Sequence, residues 1–279
     1  MPNRRHILAA STLLLTPPAR AASLDPPTLR HSRLASASIG DIAASWLFNP
    51  TDRYRHFVLG DAYEAGGLAA RTRSGQIFSH NLPEDAVFED RLVRIADLDG
   101  DGKSELIVVL ATQTEGASLA VFGLQSGALV LKAQTPPIGQ PNRWLNPSGI
   151  GQFTRAGRPQ IALVRTPHLS GILEIWEWQG ATLAKVFSKA GYSTHRLGSR
   201  HQQLFALIPG PQGLDRLALP ILDRRAVALM DFTQQDPEIA RIALPGRADG
   251  PFSLRKTATD WTLGVPLEGG GEAKISLPN

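Results

Sequence analysis

Four carboxylates crowd one short stretch of this 279-residue chain. Residues 97–106 read D-L-D-G-D-G-K-S-E-L and place Asp97, Asp99, Asp101 and Glu105 at the first, third, fifth and ninth positions of a loop, with Lys103 at the seventh. Alternate residues of such a loop point inward. The four acids and the backbone carbonyl of Lys103 can therefore converge on one hard cation, and calcium takes six to eight oxygens at about 2.3–2.6 Å. Gly100 and Gly102 supply the turn, which glycine makes without steric cost. An EF-hand would place a bidentate Glu at position twelve and a helix after it. Position twelve here is Val108, inside the apolar run Ile107, Val108, Val109, Leu110, so the loop opens a strand. The expectation is one structural Ca2+ that ties a β-hairpin together. A catalytic ion would need an open position facing a pocket, and no residue pattern marks one.

Other chemistry is sparse. The chain has no G-x-S-x-G elbow, H-E-x-x-H zinc motif or G-x-x-x-x-G-K-[ST] phosphate loop. Its seven histidines are dispersed, without metal-ligand spacing. Gly269, Gly270 and Gly271 read as a hairpin tip.

The first 21 residues have the pattern of a cleavable export signal: Arg4 and Arg5, the short apolar run 7–15 diluted by Ser11 and Thr12, then Ala19, Arg20 and Ala21. The arginine pair and the basic residue beside the cleavage point resemble a twin-arginine signal. The run is too short to span a bilayer, which takes about 20 residues. With no cysteine, disulfides and an N-terminal lipid are excluded. A periplasmic or secreted protein without membrane insertion is expected. Loss of Arg4, Arg5 and Arg20 lowers the basic count from 29 to 26 against 25 acids, too balanced for a nucleic-acid partner. About 258 residues remain, enough for one large all-β domain.

The pattern D-x-D-G-D-G-x-x-E-L followed by an apolar strand resembles the FG-GAP or VCBS repeat, the blade unit of integrin-α-like β-propellers. The resemblance is specific over residues 95–110 and loose over the rest of the mature chain. It implies a fold more than a function. Spacing agrees with it. Gly102, Gly157 and Gly213 lie 55 and 56 residues apart, each followed by an apolar strand, a polar break and a second apolar strand (119–124, 172–178, 226–232), with third strands at 128–133, 183–187 and 239–244. A period near 50 with several short strands per repeat is a propeller pattern. Residues 44–48, 55–60, 67–72 and 75–80 read as a first blade. Residues 252–257, 261–267 and 273–277 give a last blade of three strands. The expectation is one domain, 30–279, an all-β propeller of five blades closed by an N-terminal strand, 33–39, on the last blade; paired β-sandwiches are the rival architecture. The acids of the calcium loop do not recur: alignment on Gly157 puts Gln152, Thr154, Ala156 and Gln160 at those positions.

On the face opposite the calcium loop, the connecting loops carry Asp61, Tyr63 and Glu64, then Arg91, Arg143 and Trp144, His168, His195 and Arg196, and Asp223, Arg224 and Arg225. Such a rim suits a polar or anionic ligand, a protein or a saccharide, because guanidinium pairs with carboxylate and Trp stacks on a sugar or peptide. A binding or scaffolding role is therefore expected, with no catalytic motif. The alternative is a carbohydrate-active hydrolase or lyase using Asp61, Glu64 or Asp223 at the funnel mouth. Acids gathered beneath Trp144 in a deep pocket would mark the enzyme, and a shallow basic rim the binder.

Overall fold

The computed structural model describes residues 25–257 and 260–277; the expected export signal, 1–21, lies outside them. The described chain is built of antiparallel strands, with a single short 3-10 turn at Pro211–Gly213. The first repeat holds β1 (Ala35–Ser36), β2 (Ile42–Thr51), β3 (Glu64–Thr72) and β4 (Ile77–Asn81). The second holds β5 (Ala86–Phe88), β6 (Arg94–Ala96), β7 (Glu105–Thr112), β8 (Gly116–Gln125) and β9 (Ala128–Gln134). β10 (Leu145–Gly151), β11 (Gln160–Arg165), β12 (Ile172–Gln179) and β13 (Thr182–Ala190) form the third repeat. β14 (Ala206–Pro209), β15 (Asp215–Pro220), β16 (Ala226–Met230) and β17 (Glu238–Ala243) form a fourth, and β18 (Ser253–Lys256), β19 (Trp261–Pro266) and β20 (Glu272–Leu277) a last. Within the last three repeats each strand pairs with the next in sequence, and a pairing of β3 with β5 joins the first two repeats into one nine-stranded sheet. The first strands of successive repeats also touch, β1 with β6, β10 with β14 and β14 with β18, the radial arrangement of a β-propeller.

Burial follows from the strand patterns. The middle strands β7, β8, β11 and β16 are apolar on both faces and almost wholly buried, because each faces a neighbouring sheet on either side. The outer strands β4, β9, β13 and β17 alternate, one face on the core and one in water. Four apolar clusters fill the spaces between sheets, one joining the second and third repeats around Ile107, Leu119, Trp144, Ile161 and Trp176.

Two expectations about the first repeat are corrected. The N-terminal segment does not complete the last sheet: Ala35 and Ser36 pair with Ser45 and Ala44 of β2, and Arg33 bridges Leu92 in parallel. β1 is thus the innermost strand of the first repeat, standing to β2 as β6 stands to β7, and the last sheet has three strands among the described residues. Residues 55–60, read as a strand, belong to the long connection between β2 and β3. Their apolar members Val58 and Leu59 are buried in the core cluster without joining any ladder. Phe57 has φ 57°, a conformation a strand excludes.

Tight approach between repeats is visible at Gly171, in the loop after β11. A methyl group there would sit 1.9 Å from the Tyr192 carbonyl oxygen, and its φ is 58°; at Gly157, with φ 78°, a methyl would meet open space. Gly157→Ala is expected to cost only the left-handed backbone penalty, roughly 1–2 kcal/mol. Gly171→Ala is expected to cost more than that, since the 191–192 backbone has to move. Urea unfolding of the two variants checks the order; equal costs would contradict the contact.

Candidate functional site

The inner strand of the second repeat is broken between β5 and β6. Both pair with β7, but residues 89–93 leave the ladder. The sequence there is E-D-R-L-V, three charged residues between apolar strands, and the structure buries all three. Asp90 Oδ2 accepts the Val109 N–H at 3.0 Å, replacing a ladder bond. It also pairs with Arg94 at 2.5 Å, while Asp90 Oδ1 accepts from Gln202 Nε2 at 2.9 Å. Arg91 is 2% exposed. Its Nε donates to Asp61 (3.1 Å), Nη1 to Glu64 (3.0 Å) and to the Asp90 carbonyl, and Nη2 to the Tyr63 carbonyl. Asp61 also accepts from Arg200 at 2.8 Å and bonds His31 at 3.0 Å. Burial pushes Glu64 up to about 8 in spite of Arg91, and its Oε1 has no partner among the described residues. Asp61 is held below the usual range: its own burial opposes this, and the bonds from Arg200, Arg91 and His31 outweigh it.

Above this network lies a cleft of about 220 Å³ lined by His56, Asn142, Arg143, Trp144, Thr166, Pro167, His168, Leu169 and Leu197. The long β2–β3 connection supplies His56, the segment before β10 supplies Arg143 and Trp144, and the β11–β12 loop supplies His168 and Leu169. Leu197 comes from a segment, 192–205, that leads from β13 across the centre of the ring to β14. That segment is tied to the first repeat, where Gly198 N–H donates to the Val58 carbonyl at 2.9 Å. Gln202 ties it to the second repeat, and Asn146 Nδ2 donates to the Gln202 carbonyl at 2.8 Å.

Trp144 forms the floor. It is 2% exposed, donates from Nε1 to the Glu89 carbonyl at 2.9 Å, and is stacked by His168 at 6.1 Å and 10°. The indole is therefore almost wholly buried, which leaves little for a sugar. His168 Nε2 lies 2.9 Å from His195 Nδ1, and His195 Nε2 lies 2.8 Å from the Ser199 carbonyl. A carbonyl only accepts, so His195 carries its proton on Nε2 and its Nδ1 accepts from His168 Nε2–H. Burial and then the neighbouring His168 hold His195 down to about 3. Burial, His56 and Arg224 hold His168 down to about 4. His56 Nδ1 lies 2.6 Å from Glu89 Oε1. Burial raises the fully buried Glu89 well above its usual value and lowers His56. Burial thus disfavours the charged form of both partners.

Nine of the twelve rim residues separate into three groups. Arg143, Trp144 and His168 line the cleft. Asp61, Glu64 and Arg91 are buried beneath it and bonded to one another. Arg196, paired with Asp249 at 3.0 Å, and Arg224, which donates to the Ala248 carbonyl at 2.5 Å, tie the fourth repeat to the last, while exposed Asp223 caps its own turn through the Arg225 N–H. His56, Glu89 and Leu197 were not singled out from sequence. The E-D-R interruption of an apolar run was the available sign for Glu89.

On the opposite face, side-chain oxygens of Asp97, Asp99 and Glu105 lie within 4.8 Å of one another, a span one ion with 2.3–2.6 Å bonds can bridge. Asp97 also accepts the N–H groups of Gly100 and Gly102, and Glu105 accepts from Leu98 N–H at 2.9 Å and Lys132 at 3.1 Å. Asp101 stands outside this group, its Oδ1 bonded to the Lys103 N–H. The third repeat builds the same corner from amides. Gln152 accepts the Gly157 N–H at 2.5 Å, and Gln160 accepts from Phe153 N–H and donates to Thr154 Oγ1 at 2.7 Å. The Gln160 amide thus spans positions that a cation would bridge in the second repeat.

No protein-family model matches the chain, and a search of the curated proteins finds no match. Among solved structures it is similar to the exotype rhamnogalacturonan lyase YesX, with TM-score 0.54 and 17% identity over 84% of this chain and 45% of that one. The chain thus spans about half the length of that lyase, and the likeness is one of fold. The WD40 domain of SCAP from fission yeast (TM-score 0.38, 14% identity, 90% of this chain and 60% of that one) and Sqt1 of Saccharomyces cerevisiae (0.38, 13%, 85% and 65%) superpose less closely.

Two outcomes follow from this geometry. Arg91→Met is expected to destabilise by about 3–5 kcal/mol, because it strands buried carboxylates; denaturant unfolding measures it, and a loss under 1 kcal/mol would contradict the network. The second concerns pH. His168 and His195 titrate near 6.5 when unfolded but only near 4 and 3 when folded, so the unfolded chain binds more protons as pH falls below 6.5. Stability is then lost with falling pH. His168→Gln is expected to flatten the dependence of the unfolding midpoint between pH 6.5 and 4.5; an unchanged slope would refute the assignment.

Proposed function

We propose that this is an exported β-propeller, related to FG-GAP/VCBS repeat proteins, that holds one structural Ca2+ in the second repeat and binds an anionic partner at the Arg143 cleft. The cleft lining carries the reading: it holds one guanidinium and two imidazoles and no carboxylate. Arg143 reaches the Asn142 carbonyl at 3.1 Å and no carboxylate among the described residues, so its charge is available to a ligand. The acids beneath Trp144 are sealed from this space, Glu89 being 0% and Glu64 1% exposed. That favours a binder over a glycosidase with paired carboxylates. Export to the periplasm or beyond rests on the pattern of the first 21 residues.

A lyase is the second reading, and the His56–Glu89 pair favours it. An imidazole held by a buried carboxyl at a cleft edge can act as a general base, with Arg143 neutralising a substrate carboxylate. Incubation with acidic polysaccharides would then yield an unsaturated product that His56→Ala fails to make.

Binding is tested with carboxylate ligands, trigalacturonate and N-acetyl-phenylalanine among them, each compared with its amide. At least one carboxylate is expected to raise the melting midpoint where its amide does not, and Arg143→Ala to abolish the rise; no carboxylate-dependent rise would overturn the reading. The metal is tested by melting in chelator and in calcium. Calcium is expected to raise the midpoint through binding to the folded state, saturating at one ion per chain, and Asp97→Ala or Asp99→Ala to remove that rise. Identical melting of Asp99→Ala and the parent in both conditions would remove the ion from the account.

A further inference from the structure

Four large apolar side chains stand in water around the cleft. Leu197 is 61% exposed, Leu169 56%, Phe57 46% and Leu222 38%. They come from four different segments that the structure locks together. Leu169 and Leu197 line the cleft itself. Phe57 follows His56, in the connection held to Gly198 through the Val58 carbonyl. Leu222 packs over Gly171, where a methyl group would sit 2.7 Å from its Cδ1. The remaining exposed apolar side chains are scattered: Ile77, Leu131, Val186 and Ile239 lie each on a different outer strand, and Leu34 and Ile39 flank β1, as expected of ordinary surface. Leu169 and Leu197 share one cleft, and Phe57 and Leu222 stand on segments that adjoin its walls; exposed apolar side chains grouped in this way mark an interaction site.

The dimensions select the occupant. A space of about 220 Å³ falls below the roughly 300–1,000 Å³ that encloses a drug-sized ligand, and it takes one large side chain. Phe57 and Leu222 extend the apolar surface beyond the lining, further than a small molecule placed in the cleft would cover. Arg143, with no carboxylate partner, lies at the same cleft. A central anchor surrounded by apolar contacts and one charge pair is how peptide segments are held.

We propose that this face docks a polypeptide segment that inserts one large apolar side chain between Leu169 and Leu197 and sets an adjacent Asp or Glu on Arg143. This rests on the cleft being the binding site, and narrows its ligand to an acidic, apolar-anchored peptide. The test is selection of a random phage-displayed peptide library on the folded protein, followed by fluorescence anisotropy with a synthetic peptide of the enriched sequence. The expected consensus carries one large apolar residue beside Asp or Glu. Its affinity is expected to fall at least about tenfold with Leu197→Asp and with Arg143→Ala, and to hold with Leu131→Asp on β9. Absence of a consensus, a consensus without an acid, or equal binding by Leu197→Asp would overturn the proposal. If trigalacturonate binds through Arg143 while no peptide is selected, the anion-binding reading stands and the peptide inference falls. If neither binds, both fall.

Discussion

Burying charge at the centre of the ring is the constraint around which the rest is arranged. Asp61, Glu64, Glu89 and Asp90 are all 6% exposed or less, and an uncompensated buried ion costs several kcal/mol. The guanidinium of Arg91 meets two of these acids directly, Arg94 meets Asp90 and Arg200 meets Asp61. Glu89 meets His56 instead, and burial pushes both Glu64 and Glu89 up, each keeping one oxygen without a partner among the described residues. The break in the inner strand at 89–93 takes Glu89, Asp90 and Arg91 out of the ladder. Asp90 then repairs the ladder that the break interrupts.

The same arrangement decides the character of the cleft above it. Because Trp144 and its stacked imidazoles roof the acids, the negative groups do not reach the space where a ligand would sit, and the surface that remains is apolar and cationic. Arg196 and Arg224 on this face are engaged within the fold, Arg196 with Asp249 and Arg224 with the Ala248 carbonyl. Arg143 is left facing the cleft. Selectivity thus arises from which charges the fold consumes internally as much as from which ones it displays.

Much of the architecture was legible in the chain. Alternating and continuous apolar runs marked most strands, and the glycine spacing marked the repeats, because both express local geometry: the period of two along a strand and the left-handed turn at a corner. The glutamines at the aligned positions of the third repeat were read as unable to hold a cation, and the structure shows them bonding the same corner through amides. What was not legible depended on distant partners. Val58 and Leu59 are apolar because they pack into the core cluster that joins the second and third repeats, without pairing in a sheet. The polar stretch S-T-H-R-L-G-S-R-H-Q-Q of residues 193–203 reads as a solvent loop, yet Thr194, His195, Ser199 and Gln202 are buried. Their burial is decided by acceptors and donors contributed from the first three repeats. The place of β1 was likewise fixed by β2 and Leu92, which no periodicity names.

The central segment also sets the order of assembly. Its bonds join residues far apart in the chain, Arg200 to Asp61 across 139 positions, Gln202 to Asp90 across 112 and Gln203 to Arg33 across 170. None of these can form until the fourth repeat begins to take shape, and contacts of such separation slow folding. Until then the acids of the first two repeats lack a share of their donors and stay hydrated, so those sheets cannot dry their inner edge alone. The buried network is therefore complete only when the segment leading into the fourth repeat is in place, which makes the charges of the first two repeats depend on the later ones.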